Sequence, residues 1–230
     1  MILSDARSCA LDRTLKAGVF ADELAAARSQ AHRPVNTIRA HRPEVADLEG
    51  PTGQVHVIGV QHGKIITERS VQDSAAAGVA KLSVLERYGR GSRPANAYVM
   101  GFGEKFRGAI ASSVGHDSHN LISVGSNAFD MRTAMGALID SGGGFCVVQD
   151  GAVRAHLSLP FGGLMSESDP SALKDALLEL KEASRSIGCE LPEPFLQLAF
   201  LSLPVIPSLK LTDRGLVDVD QFKIIDVRAS

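Results

Sequence analysis

The stretch GAIASSVGHDSHNLISVG, Gly108–Gly125, sets two apolar runs on either side of the pentapeptide His116-Asp117-Ser118-His119-Asn120. On a helix the two histidines, three apart, would share a face and could chelate; on a strand they would point to opposite sides. Ser113-Val114-Gly115 before the pentapeptide and Leu121-Ile122-Ser123-Val124 after it read as strand ends, so a turn between two buried strands is expected. Such a turn allows two roles. Asp117, Ser118 and Asn120 can satisfy turn backbone while the histidines are surface or core residues. Alternatively, the turn brings His116 and His119 together, with Asp117 as a third ligand or as the orienter of one ring.

The same short, Gly-closed apolar rhythm extends outward from this segment. QVHVIGVQHGKIITERSV (54–71) reads as a hairpin turning at His62-Gly63, with Ile65, Ile66 and Val71 in its second strand. AKLSVLERYG and ANAYVMGFG read as further strands, although Ala75–Ala80 leaves the first ambiguous with a helix. NAFDMRTAMGALIDSGGG carries Met131, Ala134, Met135 and Leu138 at helical spacing, Asn127 as a possible N-cap and three glycines to stop it. FCVVQDGAVRAHLSLP is a hairpin with Asp150-Gly151 as a type I′ turn signal. A second helix is expected in SDPSALKDALLELKEASRSIGC, with Ser168 or Asp169 as N-cap, Pro170 at its first position and Leu173, Leu177 and Leu180 facing inward. EPFLQLAFLSLPVIP is apolar nearly all round and is expected to be a buried short helix, and QFKIIDV a last strand. LPVIP and KLTDRGLVD look like rigid turns. Strands outnumber helices and the helices cluster late, which predicts an α+β fold of mixed or antiparallel sheets with a few helices packed on them.

The first 53 residues differ. ILSDARSCALDRTLKAGVFADE reads as a strand, a polar turn, and either a hairpin at Gly18 or a helix over 9–17, a sheet-like pattern already running at Met1. DELAAARSQA reads as a short helix, and HRPVNTIRAHRPEVADLEGPTG, with its two His-Arg-Pro triplets, as a linker or extended arm. Three regions are therefore expected: 1–22 as a piece of something longer, which the resemblance given below implies is the remnant of a small β-domain, 23–53 as an arm, and 54–230 as the α+β domain.

Composition narrows the function classes. The 230-residue chain is 44% hydrophobic and 22% charged, with a net charge of −2, so nothing suggests a nucleic-acid footprint or a polybasic membrane patch. No run approaches the about 18 apolar residues of a membrane span, and no signal peptide is seen. Three widely spaced cysteines, Cys9, Cys146 and Cys189, form no disulfide framework or CxxC pair and fit a reducing cytoplasm. Phosphate-binding glycine loops, a GxSxG elbow, HExxH, His-x-His and the HxE…PCxxC zinc signature are absent from the sequence. Other polar residues read as structural: His56 and His62 in a strand and its turn, Cys146 as a small core residue, Glu86 and Arg87 as an exposed pair at a strand end, and Lys105 and Arg107 as solvated charges.

Several collinear stretches carry a resemblance: VHVIGVQHGKIITE, LERYGRG, MGFGEKFRGAIASSVGHDSHNLISVGSNAFD, GGGFCVVQDG, LPFGGLMS and PFLQLAFLSLPVIPSLKLTDRGLVD. In this order, over roughly residues 54 to 220, they resemble the C-terminal region of microbial adenine deaminases, with Gly115 where alanine is commoner. MILSDARSCALDRTLKAGVFA is similar to the end of the small β-sandwich that accompanies amidohydrolase barrels. The resemblance implies hydrolysis of adenine to hypoxanthine and ammonia by water bound to two divalent metals, manganese or iron, whose ligands lie in that barrel. None of the barrel's ligand motifs occurs in this sequence, so the resemblance assigns no cofactor to this chain alone and no catalytic residue. It implies that His116, Asp117, His119 and Asn120 are substrate-site candidates on a wall or lid facing a barrel mouth. Adenine is then the expected ligand, and a barrel subunit or a homodimer the expected partner. A standalone purine- or metal-binding module is the alternative expectation.

Overall fold

The computed structural model describes residues 36–229 apart from Ser92. The expected β-domain remnant, the Ala-rich helix and the start of the arm lie outside the described residues.

The expected strands form one mixed eight-stranded sheet. Its strands are β1 (Gln54–Val60), β2 (Thr67–Asp73), β3 (Val79–Leu85), β4 (Ala95–Met100), β5 (Ala109–Ser112), β6 (Leu121–Gly125), β7 (Gly144–Gln149) and β8 (Ala152–Ser158), in the order β2-β1-β4-β3-β6-β5-β7-β8. Only β1 and β4 pair in parallel; every other neighbour pair is antiparallel. The apolar runs are continuous because both faces of the central strands are covered. On β5, Ile110 enters one core and Ala109 and Ala111 the other; on β7, Val147 enters the first and Cys146 and Val148 the second. Burial raises the Cys146 thiol to about 12, which makes it the inert core residue expected.

Helix α1 (Ala128–Ser141) covers the second face with Met131, Ala134, Met135 and Leu138, and Asn127 caps it by accepting from the Asp130 N–H at 2.8 Å. The described part of the arm joins this layer, with Ile38, Ala40 and Leu48 buried against it. The other face packs against α2 (Pro170–Ser186), α3 (Pro194–Leu201) and a second sheet of three strands, β9 (Leu209–Thr212), β10 (Gly215–Asp218) and β11 (Lys223–Ile225), ordered β11-β10-β9. Asp169 is the cap of α2 and accepts from the Ser171 N–H.

One ambiguity is settled and four local expectations change. AKLSVLERYG is a strand, fixed by pairing with β4 and β6 on both sides. KLTDRGLVD is the β9–β10 hairpin, its strands held by antiparallel pairing from Leu209↔Asp218 to Thr212↔Gly215. Ile65 and Ile66 fall in the β1–β2 connection, exposed, because β2 begins only at Thr67. Leu177 points out of the packed face of α2, where Leu180 is the fully buried leucine, and Leu196 of α3 is exposed while Leu198 and Leu201 are buried. Helix α3 packs over β5 and β6 with only part of its circumference.

Candidate functional site

Between β5 and β6 the chain leaves the sheet from Ser113 to Asn120, and His116–Ser118 form the expected turn. Its base is tied on several sides. The Ser113 hydroxyl donates to Gly163 O at 2.6 Å and accepts from the Gly144 N–H at 2.7 Å. The His116 N–H donates to Ala199 O near the end of α3, the Ser202 hydroxyl donates to His116 O at 3.3 Å, and the His116 ring stacks on Phe200 with centroids 5.6 Å apart. The Tyr88 hydroxyl donates to Ser118 O at 2.7 Å.

The four candidate residues fall into two kinds. His116 is half exposed and Asp117 is largely in solvent, with His116 Nδ1 3.5 Å from Asp117 Oδ1. His119 is half-buried and Asn120 is buried. Nδ1 of His119 accepts from the Gly115 N–H at 3.2 Å, which leaves Nε2 as the proton-bearing nitrogen of the neutral ring. Burial is the main cause that lowers the His119 pKa from its ordinary value; the charges of His116 and Arg87 act in the same direction and Asp117 opposes them. At neutral pH this ring is therefore a neutral hydrogen-bond donor. Asn120 Oδ1 accepts from the Arg87 N–H at 3.2 Å, which fixes the amide so that its NH2 group is the free donor.

The donors at this turn do not make a metal centre. The His116 and His119 ring centroids are 6.0 Å apart, and the Nδ1 lone pair of His119 is already committed to Gly115. Among the described residues, no group of three or more His, Cys, Asp or Glu side chains could hold an ion. The described residues therefore offer no ligand set for the two-metal centre that the resemblance places in a barrel.

Beside the turn lies an open cleft of about 440 Å³, bordered by Glu86, Tyr88, Ser118, Asn120 and, across from them, Asp213 and Arg214 of the β9–β10 turn. The Arg90 guanidinium lies 5.7 Å from the Tyr88 ring centroid.

Glu86 and Arg87 are where the sequence reading fails. Expected as an exposed pair, both are buried, each 3% exposed. The Glu86 carboxylate accepts from the Tyr88 N–H at 2.7 Å and the Arg90 N–H at 2.6 Å, closing the chain reversal after β3. The Arg87 guanidinium donates to His119 O at 2.9 Å, to the Thr37 hydroxyl at 2.8 Å and to Gly162 O. A Cβ on Gly163 would stand 3.0 Å from both Arg87 Nη2 and Ser113 Oγ, so only glycine leaves room for this junction. The one signal in the sequence was a Glu-Arg pair at the end of an apolar strand, immediately before Tyr88-Gly89.

His56 lies in β1, and His62 is exposed in the β1–β2 connection. His56 Nε2 lies 3.4 Å from the Arg69 guanidinium, which pairs at 2.6 Å with Asp218 and so joins the two sheets. Lys105 and Arg107 are exposed. Lys210, unremarked in the sequence, is fully buried on β9 with one carbonyl partner, Ile65 O at 2.9 Å, and burial lowers its pKa to about 8. Among the described residues, no helix is long and apolar enough to cross a membrane.

Residues 59–223 match the family described as "Adenine deaminase C-terminal domain". The chain is 47% identical to an adenine deaminase of Methylobacterium sp. (strain 4-46), over 98% of this chain and 42% of that protein. It is 46% identical to an adenine deaminase of Shewanella halifaxensis (strain HAW-EB4), over 95% of this chain and 39% of that protein. A third relative, "Adenine deaminase 1" of Rhizobium etli, is 41% identical over 98% of this chain and 42% of its own length. The chain thus spans about two fifths of the length of these relatives.

Proposed function

This chain belongs to the adenine deaminase family, through that family's C-terminal domain, and on that premise we propose that it supplies the C-terminal part of an enzyme converting adenine and water to hypoxanthine and ammonia. In this reading the His116–Asn120 turn is part of the wall against which the purine sits, and the metal-bound water belongs to a barrel carried elsewhere in the assembly, on the same chain or another. The observation that carries the reading is the pairing of two donors, the neutral His119 Nε2–H and the Asn120 NH2 group, with the exposed carboxylate of Asp117 on one turn. Adenine presents ring-nitrogen acceptors and an exocyclic NH2 donor along its edges, and these three groups are the complement. His116, stacked on Phe200, adds an aromatic face. With Cys146 and Cys189 as buried free thiols, we place the protein in a reducing cytoplasm.

A hybrid protein tests this. The segment of the Methylobacterium relative that matches this chain is replaced by the chain itself, and adenine-to-hypoxanthine conversion is followed together with the metal content. The hybrid should turn over adenine, and His119→Ala or Asn120→Ala should lower kcat/KM by about 10- to 100-fold, the effect of removing one or two substrate hydrogen bonds. Unchanged turnover in both variants would remove the turn from the site. Strong turnover by the 230-residue chain alone would overturn the dependence on a barrel. Stoichiometric adenine binding by the chain alone, without turnover, would favour the standalone purine-binding module.

A further inference from the structure

We propose that Arg87 is the positioning residue of this site, its guanidinium fixing the backbone at His119 and its own N–H fixing the amide of Asn120. The role rests on the reading that the 116–120 turn meets a ligand, and the geometry behind it is independent of which ligand.

Arg87 follows the end of β3, at the edge of the sheet from which the turn rises. Through its side chain it reaches three separate parts of the chain: Nη1 donates to His119 O at 2.9 Å, Nη2 to Thr37 Oγ1 at 2.8 Å and to Gly162 O. Through its backbone it adds a second hold on two of these parts, donating from N to Asn120 Oδ1 at 3.2 Å and accepting at O from the Arg39 N–H at 2.7 Å. Two consecutive residues of the turn, His119 and Asn120, are therefore fastened to one residue at two different atoms. This sets where the imidazole and the carboxamide stand relative to each other.

The residue type matters. A guanidinium carries five donors in a rigid plane and can serve three acceptors in different directions, whereas an ammonium is a point charge on a flexible stem. At 3% exposure, bonds from a cation to neutral acceptors are stronger than their counterparts in water. The charged and titratable groups around His119 are His116, Asp117 and Arg87, and of these only Arg87 is buried. Arg87 thus acts on His119 by position, through the carbonyl, and by charge, as a fixed cation near the ring.

Two variants of this chain separate position from charge: Arg87→Lys keeps the cation and loses the fork, and Arg87→Met loses both. Amide hydrogen exchange and the NMR titration of the His119 ring are read in each. Both variants should speed exchange of the amides from His116 to Asn120 by about tenfold or more, while strand amides such as Ile110 and Val124 keep their protection within about twofold. The His119 ring should titrate at higher pH in Arg87→Met and stay near its original value in Arg87→Lys. An unchanged turn in Arg87→Lys, or a rise in exchange spread evenly over β5 and β6, would overturn the positioning role. Should Arg87→Met fail to fold, the exchange pattern of Arg87→Lys decides alone.

Turnover in the hybrid keeps this inference distinct from the functional reading. If the turn loosens in Arg87→Lys while neither that variant nor His119→Ala alters adenine turnover, the positioning role stands and the adenine reading falls. If His119→Ala lowers turnover and Arg87→Lys leaves the turn as it was, the positioning role falls and the adenine reading stands.

Discussion

Two connections join neighbouring antiparallel strands of the large sheet and are built in opposite ways. Between β7 and β8 the chain reverses in two residues, Asp150 and Gly151, with φ of 54° and 74°, the left-handed pair that a type I′ turn requires. One bond reaches it from outside, Gly151 N–H to Asp130 Oδ1 at 2.7 Å. Between β5 and β6 the chain wanders from Ser113 to Asn120, and its course is set by side chains and carbonyls from the end of β3, the 160s segment, and α3 with the residue that follows it. The first turn is specified by a dipeptide. The second has no such dipeptide and takes its shape from distant partners together with its own His119 and Asn120 side chains, which accept from the Gly115 and Arg87 N–H groups, while the Asp117 carboxylate stays in solvent.

That contrast can be broken at its strongest point first. Arg87→Met removes a buried cation, takes the guanidinium donors away from His119 O and the Thr37 hydroxyl, and leaves Gly162 O only its longer bond from Thr37. The expected loss is about 3 kcal/mol or more by urea unfolding, larger than for any single substitution in the Asp150-Gly151 turn. Gly151→Ala forces an L side chain into φ 74° and brings its Cβ within 2.6 Å of the exposed ring of Phe129. It should cost about 1–2 kcal/mol.

A pH scan sharpens the comparison, because only the longer connection carries a titrating ring. The folded His119 has a lowered pKa, so the unfolded chain binds the proton first. Stability is then fully present above about pH 6.5, the ordinary histidine value, and is lost as pH falls below it toward the lowered value. His56 and His156, also lowered mainly by burial, push in the same direction. The urea midpoint should therefore drop from pH 7.5 to pH 5, and His119→Gln should flatten part of that slope without abolishing it. An unchanged slope in His119→Gln would show that the ring is not held as described.

The smallest effects mark the limits of both turns. Asp150→Asn keeps a residue that tolerates left-handed φ and gives up only the exposed 3.9 Å pair with Arg154, so its stability should stay within about 0.5 kcal/mol. Gly115→Ala adds a Cβ that would meet Ser202 Oγ at 3.2 Å. That hydroxyl can rotate away, and a change of similar size is expected, visible as a small shift in thermal midpoint.

How much of the molecule is legible in the sequence follows the same division. Strand alternation is local, and Ile110 against Ala109 and Ala111, or Val147 against Cys146 and Val148, could be placed from period-two patterning once both faces were taken as covered. Asn127, Asp169 and Pro170 mark helix starts through chemistry confined to the first turn. KLTDRGLVD was hidden because a charged lysine interrupts its strand pattern, and Lys210 is buried with its ammonium on Ile65 O. The outward turn of Leu177 and Leu196 was hidden because periodicity shows that a helix has an apolar side and not how far its neighbours reach around it.

By itself the sequence determined the α+β class, the hairpin at Asp150-Gly151, the helices with their caps, and the set of residues in the 116–120 turn, all from interactions within a few positions along the chain. Only the tertiary structure decided that Glu86 and Arg87 are interior, that the β5–β6 connection is held by Arg87, itself bonded to Thr37 and Gly162, and that His119 is a neutral donor beside the free amide of Asn120. The physical reason is burial. Whether a charge at a strand end meets water or a ring of carbonyls depends on which segments fold over it, and here those segments lie 50 and 75 positions away in the chain.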